Sequence, residues 1–200
     1  PPPRDGSSAA SDVYKRQRRQ QSARMLIDAF MPEGITQLAV DSIFMMPQLG
    51  VLANIDKDEL KEDASQAALE VFDNDCLIRL GTCLTPVGNA KPNSKMADVT
   101  LTFGDGTVKE IEINEGSLEM MEHPYEEVKV HIKPSRGIDV GAGKGEELES
   151  LIYGGVVVLI FDGRNRPITL SKESDQRIDS LLSWSKAVCL LYTSPSPRDN

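Results

Sequence analysis

The spacing of apolar residues changes near residue 75, and this change limits the folds open to the chain. Before it, residues such as Met25, Leu26 and Phe30 follow helical spacing, whereas after it Val99 and Leu101 alternate with polar residues. The order of elements is helices first, then short strands, then one helix. This order is typical of an α+β fold, because an α/β fold would alternate strands with helices.

The segment 18–74 is predicted to be a small α/β piece. A helix over Arg18–Phe30 should end near Pro32, and Ile35–Asp41 should form a buried strand. A short helix is expected over Pro47–Ala53. The next helix is expected to be capped by Asp56 with Glu59 as its capping-box partner. Its predicted buried stripe consists of Leu60, Ala64, Ala67, Ala68 and Val71.

The segment 75–188 is predicted to be a β-rich domain, a small antiparallel barrel or sandwich with a closing helix. The predicted strands are Cys76–Leu84, Val99–Phe103, Thr107–Ile113 with a bulge between Val108 and Ile111, Ser117–Glu122, Glu127–Lys133, Val156–Phe161 and Pro167–Leu170. The predicted inward residues are Val99, Leu101, Phe103, Val128, Val130, Ile132, Val156, Val158 and Ile160. Ser171 should cap a helix with Ile178, Leu181, Leu182 and Ser185 on one face. We expect this core to let 75–188 fold without 18–74.

The two ends resemble encoded cloning sequence more than protein. Residues 7–17 and 189–199 back-translate into strings that look like the two partner adapters of a transposon-based sequencing library. The segments 1–17 and 189–200 are therefore interpreted as adapter-derived tails and expected to be disordered. The alternative is a pair of natural disordered tails rich in Ser, Pro and Arg.

Charge and cysteine content exclude several classes of function. The formal net charge is −9, whereas binding to nucleic acid phosphates needs a basic surface. The longest apolar run, Gly154–Phe161, is too short to span a membrane. Cys76 and Cys83 have no cluster of further ligands, so they are predicted to be reduced, buried thiols of a cytoplasmic protein and not a zinc site.

A glycine-rich run, Gly137–Gly145, invites comparison with a phosphate-binding loop. Its single lysine, Lys144, is followed by Gly145 where such a loop needs Ser or Thr, and Ile138 stands where it needs Gly. A structural or partner-contacting loop is therefore the favoured interpretation, and a merely flexible loop remains an alternative.

The remaining polar candidates form no catalytic constellation. His131 alternates with Lys129 and Lys133, which predicts a solvent-facing side chain, and His123 has no evident partner. Asp139 and Asp162 adjoin glycines, where aspartate is an ordinary turn residue. No catalytic, cofactor-binding or metal-binding residue is assigned, and the segment itself is expected not to be catalytic.

Three stretches carry a resemblance to a known family. They are ARMLIDAFMPEGITQLAVD at Ala23–Asp41 followed by MPQLGVL at Met46–Leu52, LGTCLTPVG at Leu80–Gly88, and RGIDVGAG at Arg136–Gly143 with GGVVVLIFDGRNRP at Gly154–Pro167. Together they resemble the C-terminal region of the glutamate mutase accessory protein family (GlmL/MutL), which is similar to the actin/Hsp70/sugar-kinase superfamily.

The resemblance implies that 18–74 is a helix–strand–helix remnant of an actin-like ATPase lobe. It implies a parent that binds ATP and Mg²⁺, possesses ATPase activity and serves an adenosylcobalamin-dependent glutamate mutase. The nucleotide-binding motifs of that superfamily would lie upstream of residue 18, so this segment is expected to bind no ATP. The alternative is a stand-alone β-barrel interaction module without any link to ATP.

Overall fold

The computed structural model describes residues 7–41, 43–53, 62–122, 127–155 and 158–189. The helices are α1 (Ser7–Phe30), α2 (Met46–Ala53), α3 (Glu62–Val71) and α4 (Ser174–Cys189), and a π-helical turn spans Phe72–Cys76. The strands are β1 (Gly34–Asp41), β2 (Leu77–Thr85), β3 (Val87–Gly88), β4 (Lys95–Thr102), β5 (Val108–Asn114), β6 (Leu118–Met121), β7 (Glu127–Pro134), β8 (Ile138–Asp139), β9 (Leu148–Tyr153) and β10 (Val158–Asp162).

The strands form three sheets. A mixed sheet has the order β1-β2-β10-β6, in which β10 runs parallel to β2 and antiparallel to β6. A two-stranded sheet pairs β3 with β8, and a four-stranded antiparallel sheet has the order β5-β4-β7-β9. The predicted α+β class is confirmed. No sheet among the described residues closes into a barrel, because each four-stranded sheet keeps two distinct edge strands.

One apolar core lies on the inner face of the antiparallel sheet. It joins residues of β4, β5, β7 and β9 to residues of β2 and β10 and to one residue that follows β8. The set is Leu84, Ala97, Val99, Leu101, Ile113, Val128, Val130, Ile132, Val140, Ile152, Leu159 and Phe161. The predicted inward residues Val99, Leu101, Val128, Val130, Ile132 and Ile160 are all buried, and Phe103 is partly buried. Val156 and the side chain of Val158 lie outside the described residues.

The chain forms two compact units, and they do not coincide with the predicted segments. One unit contains the residues up to Leu38 and those from Leu80 onward, and the other contains Ala39–Arg79. Helix α1 and the start of β1 therefore belong with the β-rich part, and this division differs from the expected boundary between 74 and 75. In α1, Ala23 and Ile27 are fully buried.

The second unit holds α2 and α3. The Asp41 carboxylate accepts hydrogen bonds from the backbone N–H groups of Met46 at 2.8 Å and Ile43 at 3.2 Å, and so caps the start of α2. On α3, Ala68 is buried, whereas Val71 is exposed although it was predicted to be buried. The predicted cap of α3, Asp56 with Glu59, lies outside the described residues.

Helix α1 and the bulge differ from the sequence prediction. The helix begins at Ser7, earlier than Arg18, because Ala, Gln and Arg in this stretch favour helix continuation. The bulge predicted between Val108 and Ile111 is wrong, since β5 pairs regularly with β4 there. The register shift lies instead between Lys95 and Ala97, where Met96 and Ala97 are buried in succession.

Three features near the C-terminal end also differ. Strand β9 was not predicted, because its exposed face is also apolar. Leu151 and Tyr153 are exposed, whereas Ile152 between them is buried. The strand predicted over Pro167–Leu170 is wrong, since that segment consists of bends and coil. The face of α4 that was predicted to group four residues is not the one that packs against the fold. Ile178, Leu181, Leu182 and Ser185 are exposed, and the buried side chain is Trp184.

Candidate functional site

The glycine-rich segment 137–145 forms a loop whose backbone is bonded internally. The Asp139 carboxylate accepts hydrogen bonds from the backbone N–H groups of Gly141 at 2.8 Å and Gly143 at 3.1 Å. The N–H of Gly145 donates to the carbonyl of Ile138 at 2.8 Å. A phosphate cradle needs such N–H groups to point at a ligand, so this loop is not built as one.

Two buried side chains fix the glycine-rich loop to the rest of the fold. Ile138 and Val140 are almost fully buried, and β8 pairs with β3, where Gly88 lies opposite Ile138. Gly88 has a φ of +155°, and a Cβ added there would lie 2.7 Å from the carbonyl oxygen of Gly137. Only glycine therefore permits this approach of the two strands. The alternative of a merely flexible loop is disfavoured.

Asn165 fixes β3 from the other side. Its Oδ1 accepts a hydrogen bond from the backbone N–H of Gly88 at 3.2 Å, and its Nδ2 donates to the carbonyl of the same residue. The same Oδ1 accepts from the backbone N–H of Arg166 at 2.9 Å. The segment that follows β10 therefore holds the strand that supports the glycine-rich loop.

A buried ionic cluster flanks Asn165. It consists of Asp162, Arg164 and Arg166, with Asp28 of α1 as a second carboxylate. Asp162 Oδ1 accepts from Arg164 Nε at 2.9 Å, and Oδ2 accepts from Arg164 at 2.9 Å and from Arg166 at 2.8 Å. The side chains of Asp162, Arg164 and Arg166 are 0%, 2% and 4% exposed. Such bidentate pairing is the arrangement that makes buried arginine tolerable.

Arg164 connects the cluster to two helices. Its guanidinium donates to Asp28 Oδ1 at 2.7 Å and lies 5.0 Å from the ring centroid of Trp184 on α4. The Trp184 indole N–H donates to the carbonyl of Gly116 at 2.8 Å. Burial alone would lower the pKa of Arg164, but hydrogen bonds and charge from Asp162 and Asp28 raise that pKa above its usual value.

Arg166 connects the cluster to two further segments. Its Nε donates to the carbonyl of Pro32, at the entrance to β1, at 3.1 Å, and a terminal nitrogen donates to Thr85 Oγ1 of β2 at 3.4 Å. The Thr85 hydroxyl lies 3.3 Å from the Cys83 sulfur. Burial, together with the nearby charge of Asp162, raises the pKa of the Cys83 thiol to about 12, so this thiol is unreactive at neutral pH.

The other predicted site residues are dispersed. Cys76 and Cys83 are buried, as predicted, and burial also raises the pKa of Cys76. His131 faces solvent, as predicted, and its Nε2 lies 2.8 Å from Glu147 Oε2. That hydrogen bond, aided by Lys133, holds the pKa of Glu147 below its usual value. His123 lies outside the described residues.

The sequence interpretation missed the ionic cluster. It took Asp162 for a turn residue because a glycine follows it. The signal was present in the run DGRNRP, where one acid and two arginines directly follow a continuous apolar strand. A charge placed at the end of a fully buried strand must be paired. Here the acid and the arginines pair with each other.

Comparisons with family models, curated proteins and solved structures found no match to this chain. Within the described ranges, no group of three or more His, Cys, Asp or Glu residues is arranged to hold a metal ion. No described helix combines the length and apolar character needed to cross a membrane.

Proposed function

We propose that this chain is an interaction segment, without catalytic residues of its own, of a larger cytoplasmic ATP-binding accessory protein. The parent would serve an adenosylcobalamin-dependent glutamate mutase and would carry the ATP and Mg²⁺ site in its upstream part. The three stretches of family resemblance support this identity, and they are spread over the segment between Ala23 and Pro167. The first of them includes the helix and strand expected at the end of an actin-like lobe.

The observation that carries the interaction role is the construction of the glycine-rich loop. Backbone N–H groups of the loop donate to the Asp139 carboxylate within it, and the side chains of Ile138 and Val140 are buried. The loop therefore has a fixed conformation. Lys144, Glu146 and Glu147 at its end are exposed. Recognition often uses such loops on a rigid strand scaffold, because their side chains are already positioned before the partner arrives.

The structure also determines which variants can test the loop. Deleting residues 138–145 would remove the buried side chains of Ile138 and Val140 and the β3–β8 pairing, and would therefore damage the fold. Substituting the exposed Lys144 leaves these contacts in place. Binding experiments on the loop should use Lys144→Glu for this reason.

Extending the reading frame upstream of residue 18 in the source genome tests the proposed parent. We expect a Gly-Gly turn just before the helix at residue 18 and an Asp-x-Gly-Ser/Thr phosphate loop near the true N-terminus. Native codons for Tyr14, Lys15 and Arg16, or a start codon near residue 18, would contradict this account. A start codon there would favour the alternative of a stand-alone β-rich interaction module.

A further inference from the structure

Strand β9 is an edge strand whose outer side pairs with no described strand, although the Tyr153 carbonyl at its end accepts a hydrogen bond from the Thr82 hydroxyl at 2.7 Å. It pairs with β7 in unbroken antiparallel register from Glu127/Tyr153 to Ile132/Leu148, and no other described strand pairs with it. An edge strand directs alternate backbone N–H and C=O groups away from its sheet. A regular edge without a bulge is a template to which another extended chain can add.

The opposite edge of the same sheet is protected, whereas β9 is not. Strand β5 carries the exposed charges Lys109, Glu110 and Glu112, which discourage pairing with another strand. Strand β9 carries a single charge, Glu149, and exposes Leu151 and Tyr153. The two edges therefore differ in chemistry although they belong to one sheet.

The exposed side chains of β9 stand on one face, and Glu149 and Leu151 among them line a depression. Glu149, Leu151 and Tyr153 alternate along the strand and lie opposite His131, Lys129 and Glu127 of β7. The shallow depression beside them has a volume of about 450 Å³, and Lys129, His131, Glu149 and Leu151 contribute to its lining. A strand added next to β9 would place alternate side chains beside this face.

The charge of the chain and of Glu149 indicates which kind of segment would pair with β9. The chain has a net charge of −9, so association with a second copy would bring together two molecules of like net charge. A partner segment with a basic residue would complement Glu149, and apolar residues would cover Leu151 and Tyr153. Antiparallel addition, which continues the direction pattern of the sheet, orders these as apolar-x-apolar-x-basic.

We propose that β9 is a docking edge that accepts an extended segment of a protein partner by strand addition, with the pattern apolar-x-apolar-x-Lys/Arg. This proposal deepens the proposed interaction role and rests on it. It does not require the partner that binds β9 to be a mutase. The surface adjoins the end of the glycine-rich loop, where Glu147 lies 2.8 Å from His131, but the two are tested with variants at different positions, Glu149 and Lys144.

The test uses a capped, fluorescein-labelled peptide of sequence Thr-Ile-Thr-Val-Thr-Lys-Thr, titrated with the full chain and followed by fluorescence anisotropy. Two further peptides carry N-methyl groups on one or the other alternating set of backbone nitrogens. Strand addition predicts that one set abolishes binding and the other leaves the Kd within about twofold, because only alternate N–H groups face the edge. Equal effects of the two sets would overturn the proposal.

A matched pair of charge variants locates the contact. Glu149→Lys on β9 should weaken binding by roughly fivefold, whereas Glu110→Lys on β5 changes the net charge equally and should leave the Kd within about twofold. Equal weakening by both would mean unspecific charge attraction and would contradict the docking edge. No binding of the unmodified peptide would also contradict it, while leaving capture of a mutase by Lys144 and its neighbours unaffected.

Light scattering decides between a partner segment and a second copy. We expect a monomer in the absence of peptide. A dimer that Leu151→Ala dissociates would show that a second copy occupies the edge, and this outcome would overturn the proposal of a basic partner segment.

Discussion

Asp162 is the residue on which the buried ionic cluster depends. Both of its oxygens accept hydrogen bonds from arginines, and none of its surface is exposed. Removing one partner of a buried ion pair costs more than the pair contributes, because the remaining charge stays buried without compensation.

Asp162→Asn should therefore lower the free energy of unfolding by about 3–5 kcal/mol. The amide cannot neutralise Arg164 and Arg166, and its NH₂ group would face their donors. Urea denaturation followed by circular dichroism measures the change, and Glu110→Gln on the exposed edge of β5 is the control, expected to stay within about 0.5 kcal/mol. A loss for Asp162→Asn no larger than that of the control would contradict the importance given to the cluster.

Gly163 and Gly104 form a matched pair of glycine sites with opposite surroundings. A Cβ added at Gly163 would lie 2.0 Å from the carbonyl oxygen of Asn114, whereas one added at Gly104 meets nothing within 4 Å. Gly163 also exchanges backbone hydrogen bonds with the neighbouring turn, donating to Ser117 at 2.9 Å and accepting from Gly116 at 3.0 Å.

Gly163→Ala should thus lower the free energy of unfolding by about 1–3 kcal/mol, because the backbone must shift to make room for the methyl group. Gly104→Ala should change it by less than about 1 kcal/mol in either direction. Thermal unfolding of the two variants side by side checks the difference. Similar melting temperatures would show that the turn at Asn114 can move freely.

At the scale of elements, the sequence predicts a strand well where one face is buried and the other is polar. Val128, Val130 and Ile132 alternate with charged residues, and β7 lies where this pattern places it. β9 was missed because its exposed face carries Leu151 and Tyr153, so alternation disappears. A strand whose outer face is apolar cannot be recognised from period alone.

Helix α4 shows a different failure of the same reasoning. Its aliphatic residues Ile178, Leu181 and Leu182 suggest the buried face, but the structure buries Trp184 instead. Trp184 finds both a hydrogen-bond acceptor in Gly116 and a cation in Arg164. Long-range partners of this kind, distant in sequence, are not visible in local spacing.

Trp184→Ala should lower the free energy of unfolding by about 3–5 kcal/mol, whereas Leu182→Ala on the exposed face should stay within about 1 kcal/mol. Chemical denaturation followed by far-ultraviolet circular dichroism suits both variants. In the Leu182→Ala variant, the fluorescence of the only tryptophan in the chain should also keep the emission of a buried indole. A larger loss from Leu182→Ala than from Trp184→Ala would restore the predicted face.

At the scale of the whole molecule, the buried cluster joins segments that the sequence-based division near residue 75 places apart. Asp28 of α1 and the carbonyl of Pro32 pair with Arg164 and Arg166, which are more than half the chain away. The helix, the strands and the need of the charges in DGRNRP for partners could each be predicted from neighbouring residues in the sequence. Their pairing could not, because nothing in the sequence states which distant carboxylate meets Arg164.

A fragment of residues 75–188, which its core residues alone predict to fold, should consequently be less stable than the full chain. It lacks Asp28, Ile27 and β1, and so leaves Arg164 incompletely paired and β2 as a new edge. Size-exclusion chromatography and a thermal melt measure this. A fragment of residues 18–188 is the control, and equal cooperative melting of the two fragments would contradict the prediction.

The central claim, an interaction segment that serves a mutase, is tested most directly by binding. The chain is immobilised, and adenosylcobalamin-dependent glutamate mutase subunits from the source genome are passed over it. We predict saturable binding that Lys144→Glu weakens about tenfold, and that Lys172→Glu, an equally charged change at another exposed site, leaves within about twofold. Absence of binding by a correctly folded chain, while the full-length parent captures the same subunits, would contradict the account.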